Sequence, residues 1–445
     1  MIPEASATIM STILSQLSST QQLLLVLTTA VTVLLGLYAA NWSLLTILSI
    51  KGRRPLPPPE LKELPDVTIH LPLYNEKRVA ARLIESCLRI DYPSGKLKII
   101  VIDDSDDGTT EIAKSYQKNF PNILTVIHRD SRRGYKAGAL QTALEQTTSD
   151  LVMIFDADYV PPPDLLRRVV PYIFLDENVA FVQTRSTYLN PGQSWITRAI
   201  ALALDGYGIV DQRARYMASL LAHFSGTGGL FRRSAIQSVG GWTSDTLAED
   251  LDLSIRLQLQ GWRYVYLYNV TCPGEIPPFF NLIRRQQFRW AKGFAQCLRK
   301  HGRSIVGSGR MSLFQRFEAL MLLGTYMVCP ISVFGLLILI PYLTLFPLSF
   351  FLNGYWQTIF APIASAFSAL IYASPLLLYG TTVTELSSGR LKEYRRLTDI
   401  LGLALLGLGT LLTNSKASIE GIVMKPSPYE RTAKYGIAER GDQNV

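Results

Sequence analysis

Two aspartates, Asp156 and Asp158, directly follow the apolar run of residues 151–155. The run predicts a buried β-strand, and the prolines behind the aspartates prevent a helix from starting at once. Because hard cations prefer oxygen ligands, an Asp-x-Asp at a strand end can hold a divalent metal, which could bridge a diphosphate. The alternative is that both aspartates only cap the following turn or helix.

Other charged residues also follow apolar runs. Asp103 and Asp104 come after residues 98–102, and their carboxylates could accept hydrogen bonds from a base or ribose. Lys136 lies in a basic, glycine-containing loop after residues 123–127, and its ammonium suits a diphosphate. The alternatives are a turn for the acidic loop and a solvated loop for the basic one.

A glycine-rich segment, residues 223–236, contains Gly226, Thr227 and Gly228. Glycines let the backbone approach a ligand closely, and small side chains leave the open wall that a sugar needs. These three residues are therefore candidates for acceptor binding. The alternative is a plain loop before a helix.

Glu249 and Asp250 begin an amphipathic helix. Acidic residues favour a helix N-terminus for dipole reasons alone. The functional interpretation makes Asp250 a general base that deprotonates an acceptor hydroxyl, with Glu249 beside it.

A basic helical stretch contains Gln286, Arg289 and Trp290. Gln286 and Arg289 are spaced to share one helix face. An indole can stack on the apolar face of a sugar, and an arginine can bind phosphate. The alternative is a helix anchored at the bilayer surface by its tryptophan.

Four predicted strands must position these residues, and the first three are each followed by a predicted helix. Strands that alternate with helices predict a mostly parallel α/β sheet, whose ligands bind at the carboxyl ends of the strands. Asn75 and Glu76, in the loop after the first strand, belong to the same predicted edge and are expected to bind the nucleotide sugar. The predicted strands are residues 67–71, 98–102, 123–127 and 151–155.

Apolar segments flank this α/β part. Residues 22–50 carry no charge and are long enough to span a bilayer, and the basic residues behind them predict that the N-terminus faces outward and the central part lies in the cytosol. Residues 317–352 and 355–380 are also strongly apolar, and the first block could hold two short helices. Residues 397–412 lie between two basic segments, so we expect them to be re-entrant or interfacial. Together these segments predict a multi-pass integral membrane protein, of plasma-membrane type.

The net charge and the cysteine content limit which binding partners and cellular compartments are expected. The net charge of +9 comes mostly from residues beside apolar segments, which favours anionic lipid and anionic substrates over nucleic acid. The four cysteines are scattered, so a disulfide framework or a zinc site is not expected and a reducing cytosol fits.

The sequence divides into five expected units. They are a transmembrane helix in 1–54, a proline-rich linker in 55–65, a catalytic domain with interfacial helices in 66–303, a transmembrane and re-entrant region in 304–413, and a basic cytosolic tail in 414–445.

Taken in order, these motifs resemble the DD, DxD, GxG, (T)ED and QxxRW motifs of membrane-embedded family 2 glycosyltransferases, in the cellulose-synthase-like branch and closest in look to β-mannan and glucomannan synthases. The resemblance implies a GT-A fold and an inverting transfer from a nucleotide sugar. Ala248 departs from the motif, which often has Thr there.

The resemblance also implies individual roles. Asp104 with Asp103 would contact the nucleotide. Asp156 and Asp158 would bind the diphosphate and Mg²⁺ or Mn²⁺, and Asp250 would be the base. The residues of the QxxRW motif, Gln286, Arg289 and Trp290, would shape the acceptor and diphosphate side.

A short stretch of the tail, residues 429–434, resembles the FxVTxK gating loop of cellulose synthases. Tyr429 and Arg431 stand where that motif has Phe and Val. Thr432 and Lys434 would close over the diphosphate. The alternative is a disordered basic tail.

These inferences predict a metal-dependent hexosyltransferase that extends a β-linked glycan, with GDP-mannose as the expected donor. UDP-glucose as donor and single addition to a membrane lipid, such as a polyprenyl phosphate or a ceramide-like acceptor, are the alternatives. The sequence is compatible with either a monomer or an oligomer. A membrane receptor or transporter component with a nucleotide-binding domain would give no reason for Asp250 and Trp290.

Overall fold

A seven-stranded mixed sheet forms the centre of the protein in a computed structural model, which describes residues 17–51, 57–346, 361–387, 396, 398–428 and 431–436. Its strand order is β3-β2-β1-β4-β6-β5-β7, and β6 runs antiparallel to both of its neighbours. The strands are β1 (Val67–Leu73), β2 (Leu97–Asp103), β3 (Leu124–His128), β4 (Leu151–Ile154), β5 (Val179–Tyr188), β6 (Gly229–Arg232) and β7 (Arg263–Gly274).

The predicted α/β architecture is confirmed. The first four strands coincide with the predicted ones and pair in parallel. The sequence did not predict β5, β6 or β7, because polar and aromatic residues interrupt their apolar pattern and the strand–helix alternation stops before them. The helices of this part are α2 (Ala80–Leu88), α3 (Thr109–Asn119), α4 (Tyr135–Gln146), α5 (Leu165–Val169), α6 (Trp195–Gly206), α7 (Arg213–Met217), α8 (Arg233–Ser238), α9 (Glu249–Leu259) and α10 (Phe280–Val306).

The carboxyl ends of β1, β2 and β4 meet at one edge of the sheet. Leu73 on β1 lies opposite Asp103 on β2, and His70 on β1 lies opposite Ile154 on β4. The loops behind these strands therefore open on the same side, where open α/β sheets bind ligands.

The segment after β5 is not one regular helix. Between α6 and α7 the chain forms a π-helical turn, Tyr207–Gln212. Such turns are rare and are often found at functional sites. This one lies at the cavity described below.

Apolar helices flank the sheet domain on both sides. The first apolar block after α10 divides as the sequence allowed, into two helices joined by a short 3₁₀ turn at Thr325–Met327. Four described segments are long and apolar enough to cross a membrane: Ser19–Lys51, Thr325–Leu345, Ser365–Ser387 and Asp399–Ile422. The helices outside the sheet domain are α1 (Ser19–Lys51), α11 (Leu313–Leu323), α12 (Val328–Leu345), α13 (Ala361–Ser387) and α14 (Asp399–Ile422).

The last helix is longer than the apolar segment from which it was predicted. We expected residues 397–412 to be re-entrant or interfacial, and α14, which begins at Asp399, continues beyond them to Ile422. The hydroxyls of its polar second half can be buried because they bond to the helix backbone, Ser415 Oγ to Leu411 O at 2.7 Å and Ser418 Oγ to Asn414 O at 2.9 Å. Buried polar groups that are paired in this way cost little to bury.

Both ends of α14 are paired with the sheet domain. Arg198 of α6 lies 3.2 Å from Asp399, and the buried Lys292 of α10 lies 3.0 Å from Glu420. Between these pairs, one helix face packs inward while the opposite face exposes a leucine stripe. The stripe consists of Leu401, Leu405, Leu408 and Leu412.

A close backbone contact between α14 and α10 yields a prediction. A Cβ at Gly421 would lie 2.5 Å from the carbonyl oxygen of Lys292, so something must shift. We expect Gly421→Ala to destabilise the protein by about 1–3 kcal/mol, as overpacking usually does. The measurement is the melting temperature in detergent.

Gly407 on the same helix is the matched control. Among the described residues, nothing lies within 4 Å of a Cβ built at Gly407. Gly407→Ala should leave the melting temperature unchanged or raise it slightly, because alanine is the better helix former. Equal effects of the two substitutions would contradict the close packing of α14 on α10.

Candidate active site

A cavity of about 700 Å³ opens at the carboxyl ends of the central strands. It extends from the strand loops to the apolar helices α6, α12, α13 and α14. Its polar end contains carboxylates from several separate segments of the chain. They are Glu76, Asp104, Asp156, Asp158, Glu249, Asp250 and Glu275.

Asp156 and Asp158 lie next to two lysines. The backbone N–H of Asp156 donates to Thr227 Oγ1 at 3.0 Å, and its carboxylate lies 2.7 Å from Lys136 Nζ. Lys434 Nζ, from the tail, bonds to Asp158 Oδ1. Burial acts to raise the pKa of Asp156, but Lys136 and Lys434 outweigh it and lower that pKa. Burial raises the pKa of Asp158.

These two carboxylates fit a divalent cation. Their oxygens are the ligands such a cation prefers, and each is now paired with an ammonium, Lys136 or Lys434, that a metal would replace. Within the described residues, no group of three or more metal-binding side chains comes together. An ion held here would therefore take its remaining ligands from the diphosphate and water, as Mg²⁺ usually does.

Asp250 stands at the start of α9, beside the glycine loop. Gly226 has a positive φ of 81°, and a Cβ built there would lie 2.9 Å from Asp250 Oδ2. Lys136 Nζ donates to Gly226 O at 2.9 Å and lies 3.7 Å from Glu249. Burial raises the pKa of Asp250, and it raises the pKa of Glu249 to about 7. A carboxylate with a raised pKa is a better proton acceptor.

The two aspartates at the end of β2 lie in different environments. Asp104 lines the cavity and is held by Arg129, with Nε and Nη2 at 2.7 and 2.5 Å from its two oxygens. Asp103, expected to contact the nucleotide with Asp104, is fully buried behind it. Its carboxylate accepts a hydrogen bond from Thr110 and faces His128 Nδ1 at 2.9 Å. Asp103 therefore supports the loop from within.

In the loop after β1, too, one of the two predicted residues faces the cavity and the other bonds to the protein. Glu76 lines the cavity, and Arg431 of the tail lies 2.9 Å from its carboxylate. Burial raises the pKa of Glu76 to about 7. Asn75, expected in the nucleotide site, instead accepts the Asp106 N–H at 2.9 Å with its side-chain oxygen. It joins the two strand-end loops.

The glycine loop also differs in part from the expectation. Gly226 and Thr227 line the cavity. Gly228, expected to bind the acceptor, has a positive φ of 64° and donates its N–H to Ile154 O at 2.8 Å. A Cβ there would lie 2.6 Å from Thr184 Oγ1. Gly228 therefore permits the close pairing of the loop with β4.

Gln286, Arg289 and Trp290 all line the cavity from α10. Arg289 is close enough to Asp156, Glu249 and Asp250 to oppose the effect of burial on their pKa values. α10 packs closely against the segment that carries Asp250. A Cβ built at Gly293 would lie only 2.7 Å from the Cβ of Ala248. A small residue at 248 thus suits this contact.

The tail lies in the cavity. Thr432, buried, and Lys434 both line it, as the gating-loop resemblance implies, whereas Tyr429 lies outside the described residues. Tyr435 anchors the segment: its ring meets Phe279 edge-on at 5.7 Å, and its N–H donates to Glu275 at 3.2 Å.

Several cavity residues were not predicted. Glu275 follows β7, so the strand-end rule would have identified it had that strand been predicted. Tyr207, Asp211 and His223 line the wall next to the glycine loop, with Tyr207 Oη 3.0 Å from His223 Nδ1. Tyr207 and Asp211 lie in an apolar segment without a motif, and His223 lies at the edge of the glycine-rich segment, so the sequence did not assign them.

Known proteins are similar to this chain in sequence and in fold. Residues 65–293 match the family described as Glycosyltransferase like family 2. "Probable glucomannan 4-beta-mannosyltransferase 1" of Arabidopsis thaliana is 34% identical over 400 residues, which cover 82% of this chain and 69% of that protein. "Glucomannan 4-beta-mannosyltransferase 7" of the same plant is 37% identical over 264 residues, covering 58% of this chain and 47% of that protein.

A solved structure shares the fold. The mannosyltransferase PcManGT from Pyrobaculum calidifontis, in complex with GDP-Man and Mn²⁺, aligns with a TM-score of 0.56 and 20% identity, covering 91% of this chain and 100% of that one. The chain spans about half of one plant relative and 69% of the other. With the family match over residues 65–293, the chain belongs to glycosyltransferase family 2 and is a glycosyltransferase of the cellulose-synthase-like kind.

Proposed function

We propose that this enzyme transfers mannose from GDP-mannose to a saccharide hydroxyl, with inversion and with a divalent metal. The observation that carries this proposal is the place of Asp250. It stands beside the glycine loop, where a Cβ at Gly226 would lie 2.9 Å from its carboxylate, and Lys136 connects that loop to Asp156. A base on the side opposite the leaving group is what inversion requires.

The choice of GDP-mannose as donor rests on similarity to known proteins. The plant relatives are glucomannan mannosyltransferases, and the solved relative in fold was determined with GDP-Man and Mn²⁺. The cavity offers Asp104 to the nucleoside and a ring of cations to the diphosphate.

The proton transfer follows from the geometry. An acceptor hydroxyl placed over Gly226 meets Asp250 Oδ2, because the glycine has no side chain to occupy that space. Asp250 takes the hydroxyl proton while the oxygen attacks the anomeric carbon, and the bond to the diphosphate breaks on the opposite face. Trp290 presents an aromatic surface on the same side, suited to the apolar face of a sugar ring.

The leaving diphosphate gains charge that the site can compensate. Lys136 and Arg289 already lie beside the carboxylates and can turn to the phosphate oxygens. A metal on Asp156 and Asp158 would supply further neutralisation of the leaving group. Lys434 and Thr432 would hold the diphosphate from the tail side.

The same contacts support a membrane topology. Lys434 bonds to Asp158, so the tail lies on the side of the sheet domain, which the basic residues after α1 assign to the cytosol. If α12 and α13 each cross once, α14 must end on the side where it began. Its pairing with the domain at both ends supports an in-plane position, with the leucine stripe facing lipid.

A donor screen tests the function. Purified protein with Mn²⁺ should release nucleotide from GDP-mannose at least about tenfold faster than from UDP-glucose, UDP-galactose or UDP-GlcNAc when a manno-oligosaccharide is present, because matched buried polar contacts discriminate strongly. Nucleotide release and product mass are read together. Faster turnover of UDP-glucose on cello-oligosaccharides would overturn the donor assignment.

Replacement of the base tests the mechanism. Asp250→Asn should lower kcat by about a hundredfold or more, as loss of a general base usually does. GDP affinity should stay within about twofold, since the substitution removes no group on the nucleotide side. Asp245→Asn, which removes an exposed carboxylate shortly before α9, is the control and should keep its turnover. Near-normal turnover of Asp250→Asn would exclude it as the base.

The pairing of Lys434 with Asp158 gives a third test. Without nucleotide, Lys434→Ala should tighten Mn²⁺ binding, because it removes the cation that competes for Asp158. The same change should weaken GDP–Mn²⁺ binding by about tenfold, the effect of one lost charged hydrogen bond. Isothermal titration measures both.

Lys425→Ala is the matched control. Lys425 carries the same charge on the same tail but is exposed and pairs with Glu420 outside the cavity. It should change neither affinity. Weaker Mn²⁺ binding by Lys434→Ala would mean that the lysine does not oppose the metal.

A further inference from the structure

The end of the cavity that lies away from the carboxylates is an apolar arm. Its walls come from α6 and from the membrane-level helices α12, α13 and α14. Ile200 and Leu406 there are buried against each other in one hydrophobic cluster. The aliphatic residues that line the arm are Ile200, Leu204, Val328, Leu378, Leu403 and Leu406.

The arm is continuous with the catalytic end through the π-helical turn. Tyr207, the first residue of that turn, lines the cavity beside His223 and the glycine loop. Gly206 immediately before it is packed by Leu378 and Tyr379 of α13, whose side chains lie 2.9 and 2.8 Å from a Cβ built there. A molecule whose terminal sugar meets Asp250 can therefore extend past Tyr207 into the arm.

α14 has one face toward the arm and one toward the exterior. Leu403, Leu406, Gly407, Thr410 and Asn414 line the cavity at helical spacing. The leucine stripe lies on the opposite face. The arm is thus separated from the lipid-facing surface by a single helix, at the depth of the apolar segments.

The chemistry of the arm suits a hydrocarbon better than a sugar. Thr410 already donates its hydroxyl to Leu406 O at 3.0 Å. Sugar hydroxyls placed among aliphatic side chains would lose their hydrogen bonds to water without replacement, whereas each buried methylene is favourable.

Among the described residues, one side-chain polar atom on this face of α14 is unsatisfied, and its residue, Asn414, lines the cavity. Asn414 is buried, and its Oδ1 has no hydrogen-bond partner there. It can accept a hydrogen bond from a hydroxyl near the head of a bound chain.

We propose that the acceptor is a saccharide joined to a long hydrophobic chain, of isoprenoid or acyl type. The chain lies in the apolar arm, the linkage region passes Asn414 and Tyr207, and the terminal hydroxyl meets Asp250. This inference rests on the proposed function, since the transfer step is the one derived above.

The experiment compares acceptors that share one sugar part. Full-length protein in nanodiscs is given GDP-mannose and Mn²⁺ with a free manno-oligosaccharide, the same saccharide on a dodecyl chain, or the same saccharide on a phytanyl chain. We expect kcat/KM for the chain-bearing acceptors to exceed that for the free saccharide by at least about tenfold. The two chains then separate the acyl type from the isoprenoid type.

Gly407→Leu tests the place of the chain. Its side chain would enter the open space of the arm, where the glycine leaves nothing within 4 Å among the described residues. We expect the substitution to reduce the preference for chain-bearing over free acceptor by about tenfold. Ala404→Leu, exposed on the same helix and outside the cavity, is the control and should leave that preference unchanged.

Equal kcat/KM for free and chain-bearing acceptors would overturn the proposal, as would equal effects of the two leucine substitutions. Binding of the dodecyl and phytanyl saccharides without donor is measured separately, by titration of the nanodisc-bound protein. If GDP-mannose is not turned over but Gly407→Leu weakens this binding, the arm is supported and the donor assignment fails. If neither substitution affects the binding, the arm is excluded whatever the donor.

Discussion

The structure depends on keeping several carboxylates close together in a partly buried cavity. Like charges at such distances oppose each other and burial opposes ionisation, so each needs a nearby cation or a proton. The chain supplies Arg129 to Asp104, Lys136 to Asp156 and Lys434 to Asp158. Because these cations come from different segments, the strand loops and the tail must converge for the site to exist at all. Under the proposed function, a diphosphate and a metal would replace these ion-pair partners.

The part of the cavity beside Asp250 depends on close approach of the backbone. Gly226 brings the chain within contact distance of Asp250, and Gly228 lets the same loop pair with β4. The start of α9 and α10 meet closely at Ala248 and Gly293, which fixes Asp250 relative to Trp290. Small residues therefore determine how closely the glycine loop, α9 and α10 approach one another around Asp250.

The sequence predicted the strand-end motifs because parallel strands bring their carboxyl ends to one edge whatever lies between them. It could not predict which neighbour faces the ligand. Asp103 and Asp104 are equivalent by type, yet alternation along the strand turns Asp103 inward to Thr110 and His128. The length of α14 was missed for a similar reason. Hydropathy falls at Asn414 and Ser415, but these residues face the domain, so the helix continues.

α14 contacts the cavity, the exterior of the molecule and the tail segment. One face lines the cavity, the opposite face carries the leucine stripe, and its C-terminal end, paired with Lys292, leads to the tail that reaches Asp158. A helix paired with the sheet domain at both ends connects the apolar wall of the cavity to the tail segment beside Asp158. Under the proposed function, the hydrophobic chain of the acceptor and the diphosphate would therefore contact two parts of one continuous segment, α14 and the tail that follows it.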